Sequence, residues 1–525
     1  MAERSTSSHD YDVVVIGTGA GGGTIARALA GTTARVLLLE RGDWVPQERQ
    51  NWDPEAVWRH NRYRSGEPWL DWRGRPFQPF MHYLVGGNTK MWGSVLYRLR
   101  EEDFEEVPHA DGVSDAWPIS YADLAPWYDR AEELYHVHGE AGVDPTDPER
   151  KPFPYPPVPH EPEIEALVGR LRDQGHEPAP LPLALVDPGA PGGCILCSTC
   201  NSFPCLIRRK ADADVCGVVP ALESGDVTLW TGARVRRLHT SERGEQVTSV
   251  EIERRGETVE VRGRVVVLAA GAVNSAALLL GSETDRHPDG LGNSSGLVGR
   301  RYMAHRATMM EAFDPRRSHD TVFQKTVAIN DFYRPGRGHP HPLGNIQAQG
   351  RVHPAQVKSV VPFLPTPAVR AWTRRGTEWL AMSEDLPTED NRVTLGAGGR
   401  VRLSYRPGTS PVHGRLVRAA SRMLRSAGYP VVITHEFRNE NTTHQCGTVI
   451  FGDDPRTSVL DPWCRAHDLD NLYVVDASFF PSSAAVNPGL TVIAQALRVA
   501  DHLATRYGWQ PPEPGQSRHE RGAHL

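Results

Sequence analysis

Two polar residues in the last sixth of the chain, His444 and Asn487, have side chains suited to two complementary tasks, proton transfer and the positioning of an oxygen atom. An imidazole with an unperturbed pKa of about 6.5 exchanges protons near neutral pH and can act as a general base. A side-chain amide does not titrate, so it can hold a substrate oxygen without competing for the proton. The chain has 22 histidines, and the alternative for any one of them is a surface position or a hydrogen-bonded core position. Asn487 precedes Pro488 and Gly489 and would also suit a helix cap.

A buried strand followed by a glycine-rich turn predicts a dinucleotide-binding motif near the N-terminus. Residues 11–16 are mostly β-branched, as expected for a strand covered on both faces of a parallel sheet. The turn after this strand reads G-x-G-x-x-G. In this pattern Gly17 allows the tight turn, Gly19 lets a pyrophosphate approach the backbone, and Gly22 lets the following helix pack closely against the strand. The alternative is a glycine-rich turn in an ordinary α/β domain.

The segments after the turn complete a βαβ unit. A helix is predicted over residues 24–30, with its N-terminus directed at the phosphates. A second buried strand is predicted over residues 35–39, and it ends in Glu40. An acidic residue about 20 positions after the glycines suits a hydrogen bond to a ribose hydroxyl. Because strand, helix, second strand and acidic residue are all in place, a dinucleotide site is the favoured interpretation.

The composition indicates a globular protein with more than one domain. The 525 residues exceed the length of a typical domain, and 39% of them are hydrophobic and 23% charged. The net charge of −6 gives no reason to expect a nucleic acid or an anionic membrane as partner. No apolar run approaches the ~18 residues that a membrane span requires, and the N-terminal residues lack the apolar core of a signal peptide. A cytoplasmic location is therefore expected.

Four of the seven cysteines lie close together in a C-x2-C-x2-C-x4-C pattern formed by Cys194, Cys197, Cys200 and Cys205. The spacing is close to that of iron–sulfur ligands, but the pattern lacks the Cys-Pro ending, and the chain has no C-x-x-C-H haem attachment motif. A zinc site of four cysteines is a further alternative. A loop of reduced structural thiols without a metal is favoured. An odd number of cysteines in a chain without a signal sequence argues against a disulfide framework.

Several other segments have patterns that predict local structure. Ser120 and Asp123 are predicted to cap a helix rich in Leu, Tyr and Glu. The proline-rich residues 144–190 are predicted to form an extended surface connection. Residues 351–377 are predicted to form either a mobile lid or part of a subunit interface. The polar residues after Trp509 are predicted to be disordered.

Six segments together resemble the glucose-methanol-choline (GMC) oxidoreductases over nearly the full length of the chain. They read GTGAGG with Glu40, VGGNTKMWG, WPISYADLAPWYDRAE, VVVLAAGAVNSAALL, SEDLPTEDNRVTL and the block that begins with THQCGT. Within the family, FQKTVAINDFY, GNIQAQG and VNPGLT are most similar to pyranose oxidases, especially the bacterial branch that includes C-glycoside 3-oxidases. The resemblance implies an α/β fold, in which a Rossmann-like FAD-binding domain is interleaved with an α+β substrate domain built on an antiparallel sheet.

The expected domain organisation is a series of interleaved segments. They are a first FAD-binding segment, a connecting region with the cysteine loop, a second FAD-binding segment, a substrate-binding domain, a C-terminal FAD-binding segment with the catalytic residues, and a disordered tail, at residues 1–100, 101–215, 216–310, 311–440, 441–510 and 511–525.

The resemblance also implies roles for individual residues. His444 is implied to be the catalytic base and Asn487 to position the alcohol, while Gln347 and Thr443 are implied to contact the substrate. The residues implied to bind FAD are Gly17, Gly19, Gly22, Glu40, Arg41, Gly86, Gly87, Asn88, Met91, Trp92, Gly93, Val235, Ala270, Gly271, Asp476, Ala477, Pro488 and Thr491.

Two of these implied cofactor contacts carry a specific physical argument. The helix predicted over residues 488–496 is implied to direct its N-terminus at the flavin N1–C2 carbonyl region, where its unpaired N–H groups stabilise the charge of reduced flavin. Asp476 follows a predicted strand, so capping of the strand end is its alternative role.

The resemblance departs from one branch of the family at Met91. Some fungal pyranose oxidases attach FAD through a histidine in the turn that matches residues 85–93. Met91 stands at that position, and a thioether cannot form the 8α-histidyl bond. FAD is therefore expected to be bound non-covalently.

The reaction implied by the resemblance is FAD-dependent oxidation of a secondary pyranose hydroxyl to a ketone. The hydroxyl is expected at C3, or else at C2, of a C-glycoside or glucoside, and the electrons are expected to pass to O2, giving H2O2, or to a quinone. One alternative is the flavin subunit of a sugar dehydrogenase that passes electrons through an Fe–S cluster to a partner protein. Another is a non-redox flavoprotein. Whether the protein is a monomer or a homo-oligomer is left open.

Overall fold

A parallel sheet of five strands collects segments from the beginning, middle and end of the chain. The computed structural model describes residues 10–406, 410–438 and 442–510, and the predicted disordered tail lies outside these ranges. With strands and helices numbered in chain order, the sheet has the order β10 (Val227–Trp230), β2 (Val36–Leu39), β1 (Tyr11–Ile16), β14 (Gly263–Leu268) and β22 (Leu472–Val474). All neighbouring strands in it are parallel. Most of their side chains are buried, as expected for a sheet covered on both faces.

Helices cover this sheet, and the first of them starts earlier than predicted. They are α1 (Ala20–Leu29), α2 (Tyr121–Leu134), α4 (Val219–Ser224), α5 (Ala272–Leu280) and α9 (Gly489–Tyr507). The predicted start at residue 24 was wrong, because α1 begins inside the glycine motif. A Cβ atom at Gly22 would overlap the carbonyl oxygen of Gly17. Without a side chain at residue 22, the helix can begin directly against the end of β1.

Of the two other predictions about helix ends, the start of α2 is confirmed and the end of α9 is wrong. Ser120 caps α2 through its side chain, and Asp123 bonds back to the backbone of Ser120, so this capping prediction is confirmed. The helix predicted over 488–496 extends further, from Gly489 to Tyr507, and most of its residues are buried. It ends only at Gly508, whose positive φ of 71° terminates the helix.

A second sheet, of six antiparallel strands, belongs to the substrate side of the molecule. Its order is β21 (Val431–Glu436), β15 (Arg306–Phe313), β18 (Gly376–Ser383), β17 (Asn345–Gly350), β16 (Val327–Ile329) and β8 (Pro178–Pro180). One face packs against α8 (Pro411–Ser426) and α3 (Pro162–Asp173) through a shared apolar cluster. Its opposite face is therefore free to form the wall of a site.

Residues 144–190 were wrongly predicted to be an extended connection. They contain helix α3 and the strands β8 and β9 (Leu183–Ala184). Pro162 stands at the first helical position, where its missing N–H costs nothing. Ile164, Leu167 and Leu171 follow at helical spacing and are buried against the antiparallel sheet. Prolines in this region therefore begin a helix and a strand, in addition to separating secondary-structure elements.

The remaining elements connect or flank the two sheets. Helices α6 (Pro354–Val360) and α7 (Thr366–Thr373) occupy the segment predicted as a lid or interface. The remaining strands are β3 (Trp69–Leu70), β4 (Pro76–Phe77), β5 (Val107–His109), β6 (Gly112–Ser114), β7 (Val137–His138), β11 (Ala233–Thr240), β12 (Val247–Arg254), β13 (Glu257–Val261), β19 (Arg392–Leu395) and β20 (Val401–Ser404). Among the described residues, no helix has the length and apolarity that a membrane crossing requires.

Candidate active site

A cavity of about 850 Å³ extends from the glycine turn after β1 to the free face of the antiparallel sheet. Both sheets contribute to its wall, together with the loop before Asn487. Most residues predicted to form the site line this cavity. They are Gly17, Gly19, Glu40, Arg41, Gly87, Asn88, Met91, Trp92, Gly93, Val235, Ala270, Gly271, Gln347, Thr443, His444, Asp476, Ala477, Asn487 and Pro488.

Three predicted cofactor residues lie outside the cavity wall. Gly22 faces the Gly17 carbonyl and sets the contact between α1 and β1. Gly86 precedes the short helical turn Gly87–Lys90 with a φ of 93°, a conformation that favours glycine. The hydroxyl of Thr491 lies 2.8 Å from that of Tyr128, which joins α9 to α2. The two glycines and the Thr491 hydroxyl therefore act on the elements around the cavity and do not line it.

The end of the cavity next to α1 fits a dinucleotide. No atom lies within 4 Å of a Cβ placed at Gly19, so the backbone there is open to a ligand. The N-terminus of α1 follows directly, and its unpaired N–H groups suit a pyrophosphate. Burial raises the pKa of Glu40, although its carboxylate accepts hydrogen bonds from Thr18 Oγ1 at 2.5 Å and from the Gly42 N–H at 2.9 Å. The carboxylate has further acceptor capacity for ribose hydroxyls.

A group of charged and aromatic residues that the sequence did not indicate surrounds Arg41 at this end. The Arg41 guanidinium lies 3.7 Å from the centre of the Tyr83 ring. Glu67 bonds Arg41 at 2.6 Å and Arg234 at 2.9 Å. All four residues line the cavity. They come from three distant parts of the chain and follow no motif, so only the folded structure brings them together.

Asp476 is a buried residue whose carboxylate accepts several hydrogen bonds at the wall of the cavity. Its carboxylate accepts hydrogen bonds from the Gly271 N–H at 2.9 Å and from Ser275 Oγ at 2.5 Å. It also caps the short turn that follows, by accepting from the Ser478 N–H at 2.9 Å. The capping role given as its alternative is therefore confirmed, and the same side chain lines the cavity. Burial raises the pKa of Asp476, while these hydrogen bonds favour its charged form.

His444 and Asn487 meet at the centre of the cavity. The amide nitrogen Nδ2 of Asn487 lies 3.3 Å from His444 Nε2, and it can donate a hydrogen bond to that atom. The Asn487 carbonyl oxygen is buried without a partner. His444 has a φ of 55°, which is rare for a residue with a side chain and costs of order 1–3 kcal/mol. The fold therefore holds this histidine in a strained backbone conformation beside the amide.

His305, which the sequence reasoning missed, determines which nitrogen of His444 carries the proton. Its Nε2 lies 3.0 Å from the carbonyl oxygen of Ser483, so this nitrogen donates. Its other nitrogen, Nδ1, then accepts in the neutral ring, and it lies 2.9 Å from His444 Nδ1. His444 must donate through Nδ1, so its Nε2 carries the acceptor lone pair of the ring, which faces Asn487 Nδ2.

The environment of His444 keeps it neutral. Burial lowers its pKa well below the usual range, and His305 and Lys325 lower it further. Burial also lowers the pKa of His305. An unprotonated Nε2 next to an amide donor is the arrangement that a base for an alcohol requires.

The segment between β17 and β18 forms the outer wall of the cavity. Val352, Gln356, Val357 and Val361 line it from α6 and its flanks, and Trp372 from α7. The two predictions for this segment, a mobile lid and a subunit interface, both stay predictions.

The cysteine loop lies beside the site. All seven cysteines are free thiols. Cys197 and Cys200 line a small second cavity, which shares Lys325, Gln349 and Glu378 with the main one. Within residues 10–406, 410–438 and 442–510, no three His, Cys, Asp or Glu side chains are grouped so that they could hold a metal ion.

A Rossmann-like domain with a dinucleotide cradle and a substrate domain with an antiparallel sheet share one cavity, as in oxidoreductases that bind FAD. The chain belongs to the GMC oxidoreductase family, whose two models match residues 11–307 and 400–496. It is 33% identical to paromamine 6'-oxidase of Streptomyces fradiae, over 94% of this chain and 91% of that protein. It is 26% identical to the fructose dehydrogenase large subunit of Gluconobacter japonicus, over 95% of this chain and 98% of that one.

Solved structures show the same fold. Pyridoxine 4-oxidase from Mesorbium loti matches with a TM-score of 0.64 at 21% identity, over 94% of this chain and 98% of that one. A formate oxidase matches with a TM-score of 0.66 at 15% identity, over 95% of this chain and 98% of that one. The family membership identifies the protein as an FAD-dependent oxidoreductase that acts on CH–OH groups.

Proposed function

We propose that the protein is an FAD-dependent oxidase of sugars or glycosides, and that it converts a secondary pyranose hydroxyl at C3 or C2 to a ketone. The observation that carries this proposal is the acceptor lone pair on His444 Nε2, which His305 fixes at that atom and which faces Asn487 Nδ2. Relatives named as a paromamine 6'-oxidase and as a fructose dehydrogenase subunit support a carbohydrate as substrate. A C-glycoside or glucoside is the proposed form of it.

In this proposal the chain positions the alcohol and removes its hydroxyl proton. The substrate oxygen accepts a hydrogen bond from Asn487 Nδ2, and its proton passes to His444 Nε2. The imidazolium that forms keeps its Nδ1–H bond to His305, so the ring does not turn away. Bound FAD supplies the acceptor for the hydride that leaves the carbon. The neutral amide of Asn487 stays a donor throughout, because it does not titrate.

The cavity also supports the proposed cofactor arrangement. Gly19, Glu40 and Asp476 would hold FAD along its length, and Pro488 places the start of α9 in the same cavity. Met91 lies in this wall, and its thioether offers no ring nitrogen for a covalent bond to the flavin. We therefore propose non-covalent binding. Acid or denaturant should release the yellow cofactor into solution, and flavin that stays with the denatured polypeptide would contradict this.

The test of the oxidase is anaerobic mixing of the purified flavoprotein with glucose, O-glucosides and C-glucosides, followed by admission of air. Bleaching of the flavin by a sugar, and H2O2 on re-oxidation, is the expected result. NMR of the product then assigns the ketone to C3 or C2. If none of these sugars bleaches the flavin, the proposed substrate class is wrong, although the family membership is unaffected.

A second candidate is the flavin subunit of a sugar dehydrogenase that passes electrons through an Fe–S cluster to a partner. The four-cysteine loop and the similarity to the fructose dehydrogenase large subunit favour it. Slow re-oxidation in air, fast re-oxidation by a quinone or cytochrome, and iron in the purified protein would distinguish it from the oxidase.

A further inference from the structure

On the face of the antiparallel sheet that lines the cavity, paired residues of neighbouring strands form rows that run across the strands, and polar side chains occur in two adjacent rows. Alternate residues of a strand share a face, and the alternating residues that line the cavity are Met309 and Glu311 of β15, Gln347 and Gln349 of β17, and Glu378 and Leu380 of β18. The strand pairing places Met309 opposite Leu380 and Leu380 opposite Gln347 in the first row. In the next row Glu311 of β15 stands directly opposite Glu378 of β18. Two carboxyl groups therefore face the cavity side by side.

Neither carboxyl group has a hydrogen-bond or ion-pair partner among the described residues. Both glutamates line the cavity and are only 8% exposed. Both carboxylate oxygens of Glu311 are buried without a hydrogen bond, and Glu378 makes no hydrogen bond or ion pair with any described residue. The side chain of Glu311 lies over Gly376, where a Cβ atom would overlap it, so the strand leaves room for this group.

An unpartnered amide oxygen in the adjacent row independently indicates a ligand at this wall. Gln347 is 1% exposed and lines the cavity, and its Oε1 atom has no donor. Buried acceptors without donors are costly, because each loses its hydrogen bonds to water. A ligand that occupies this wall must therefore bring several N–H or O–H donors to it.

The nearest lysine does not neutralise the pair. Lys325 Nζ lies 3.5 Å from Asn201 Oδ1 and forms no ion pair with either glutamate. Burial raises the pKa of Glu378 to about 8, in spite of Lys325, and burial and the neighbouring Glu378 raise that of Glu311 well above its usual range. A second positive charge would be needed to hold both groups as carboxylates.

We propose that Glu311 and Glu378 together bind a protonated amino group of the substrate, so that the preferred substrate is an amino sugar. This inference rests on the proposed function, since it names the substrate class of the same cavity. An ammonium group brings three N–H donors and one positive charge, which matches two facing carboxylates and the Gln347 oxygen. A divalent cation is a poorer match, because no three ligating side chains are grouped among the described residues.

The two glutamates are placed to bind a part of the substrate other than the carbon that is oxidised. Glu311 and Glu378 lie in residues 308–399, between the two stretches that match the family models, while His444 lies within the second stretch. Glu311, Glu378 and His444 line one cavity, and neither glutamate is among the groups that shift the pKa of His444. The amino group would thus hold the sugar while a different carbon is oxidised.

The test measures binding separately from turnover. The holoenzyme is reduced anaerobically, and calorimetry gives the Kd of methyl glucoside and of its analogues with an amino group at C2, C3, C4 or C6. At least one amino analogue should bind about tenfold or more tightly than the parent, because charge-assisted hydrogen bonds to a buried carboxylate are strong. In E311Q and E378Q this preference, the ratio of the Kd of the parent to that of the amino analogue, should fall to about twofold or less.

Three outcomes would overturn the inference. One is that no amino analogue binds more tightly than methyl glucoside, as expected if the two carboxyls only share a proton. Another is a preference that survives in the E311Q/E378Q double variant. A third is that the preference for an amino analogue falls equally in E257Q, a control variant that removes an exposed carboxylate from β13. Since the flavin is already reduced, the result is independent of whether any sugar is oxidised, so failure of the oxidase proposal is distinguished from failure of this one.

Discussion

The Nδ1 atoms of His305 and His444 lie 2.9 Å apart, and this contact determines the chemistry available at His444. Two ring nitrogens can share one hydrogen bond only if one ring donates and the other accepts. Because His305 already donates to the Ser483 carbonyl, His444 is the donor in this pair. His305 is therefore a positioning residue for the base, although it does not itself reach the reacting atoms.

Replacing His305 by phenylalanine should reduce kcat more than it changes KM. The ring of Phe keeps the volume but accepts no hydrogen bond, so His444 can adopt the tautomer with a proton on Nε2, which cannot act as a base. We expect a loss of about 10²-fold or more in kcat, within the range for general base catalysis. Steady-state kinetics with the best sugar gives both constants.

The control for this variant is His413→Gln. His413 is another buried histidine, bonded to Thr308 Oγ1 at 2.7 Å, and it does not line the cavity. Its replacement should alter thermal stability and leave the kcat of the folded enzyme unchanged. A purely structural role for His305 would predict similar behaviour of the two variants, with kcat restored once each is folded.

The activity should be insensitive to pH across the usual histidine range. The depressed pKa of His444 means that the base is already unprotonated at pH 6.5 and above, and is lost only when the pH falls below its lowered pKa. We expect a flat kcat/KM profile between pH 5.5 and 7. An inflection in this window that disappears in His444→Ala would show that the imidazole titrates normally.

The contribution of each buried histidine to the stability of the fold should decrease as the pH falls below about 6.5. Burial lowers the pKa of His82 and of His413 to about 4, and that of His444 falls in the same direction. In the unfolded chain these histidines bind protons from about pH 6.5 downward, whereas in the folded chain they stay neutral, so protonation favours the unfolded chain at these sites. Urea midpoints of the FAD-saturated wild type and of His413→Gln at pH 8, 6.5 and 5 test this, because the advantage of the wild type should shrink towards pH 5. A difference between the two proteins that stays constant over this range would contradict it.

Two glycines of one motif should respond differently to the same substitution. Gly19→Ala places its Cβ in open space within the cavity, so the chain should fold and lose affinity for FAD. Gly22→Ala directs its Cβ into the Gly17 carbonyl, so this variant should be destabilised whether or not FAD is present. Circular dichroism of the cofactor-free proteins and titration with FAD separate the two effects. Normal FAD affinity in Gly19→Ala would remove the argument for close approach of a ligand there.

The sequence predicted the parts of the site that depend on local patterns. The strand, the glycine turn and Glu40 follow one another within thirty residues, and strand β1 has the predicted bounds. The roles of His305, Glu311 and Glu378 could not be predicted in this way. His305 acquires its role only when the start of β15 meets the loop that carries His444. Glu311 and Glu378, which are 67 positions apart in the sequence, face each other only because of the register between their two strands.

Lys90 anchors the turn that carries Gly87 and Asn88 into the cofactor site. Its Nζ atom lies 3.0 Å from Asp212 and 2.8 Å from Asp214, and all three groups are buried. Burial alone would lower the pKa of Lys90, but the two carboxylates raise it above its usual value, so the lysine is charged and stabilising at neutral pH. Lys90→Met leaves both carboxylates without this cation.

We expect Lys90→Met to lose about 3–5 kcal/mol of unfolding free energy, because breaking a buried ion pair leaves uncompensated charge. The displaced turn should also weaken FAD binding. Lys358→Met is the matched control, since Lys358 bonds only the Leu364 carbonyl and Thr366 and is partly exposed. Urea unfolding with and without added FAD measures both effects. If the two variants unfold at the same urea concentration, the ion-pair cluster does not hold the turn, and the architecture of this wall must depend on the glycines alone.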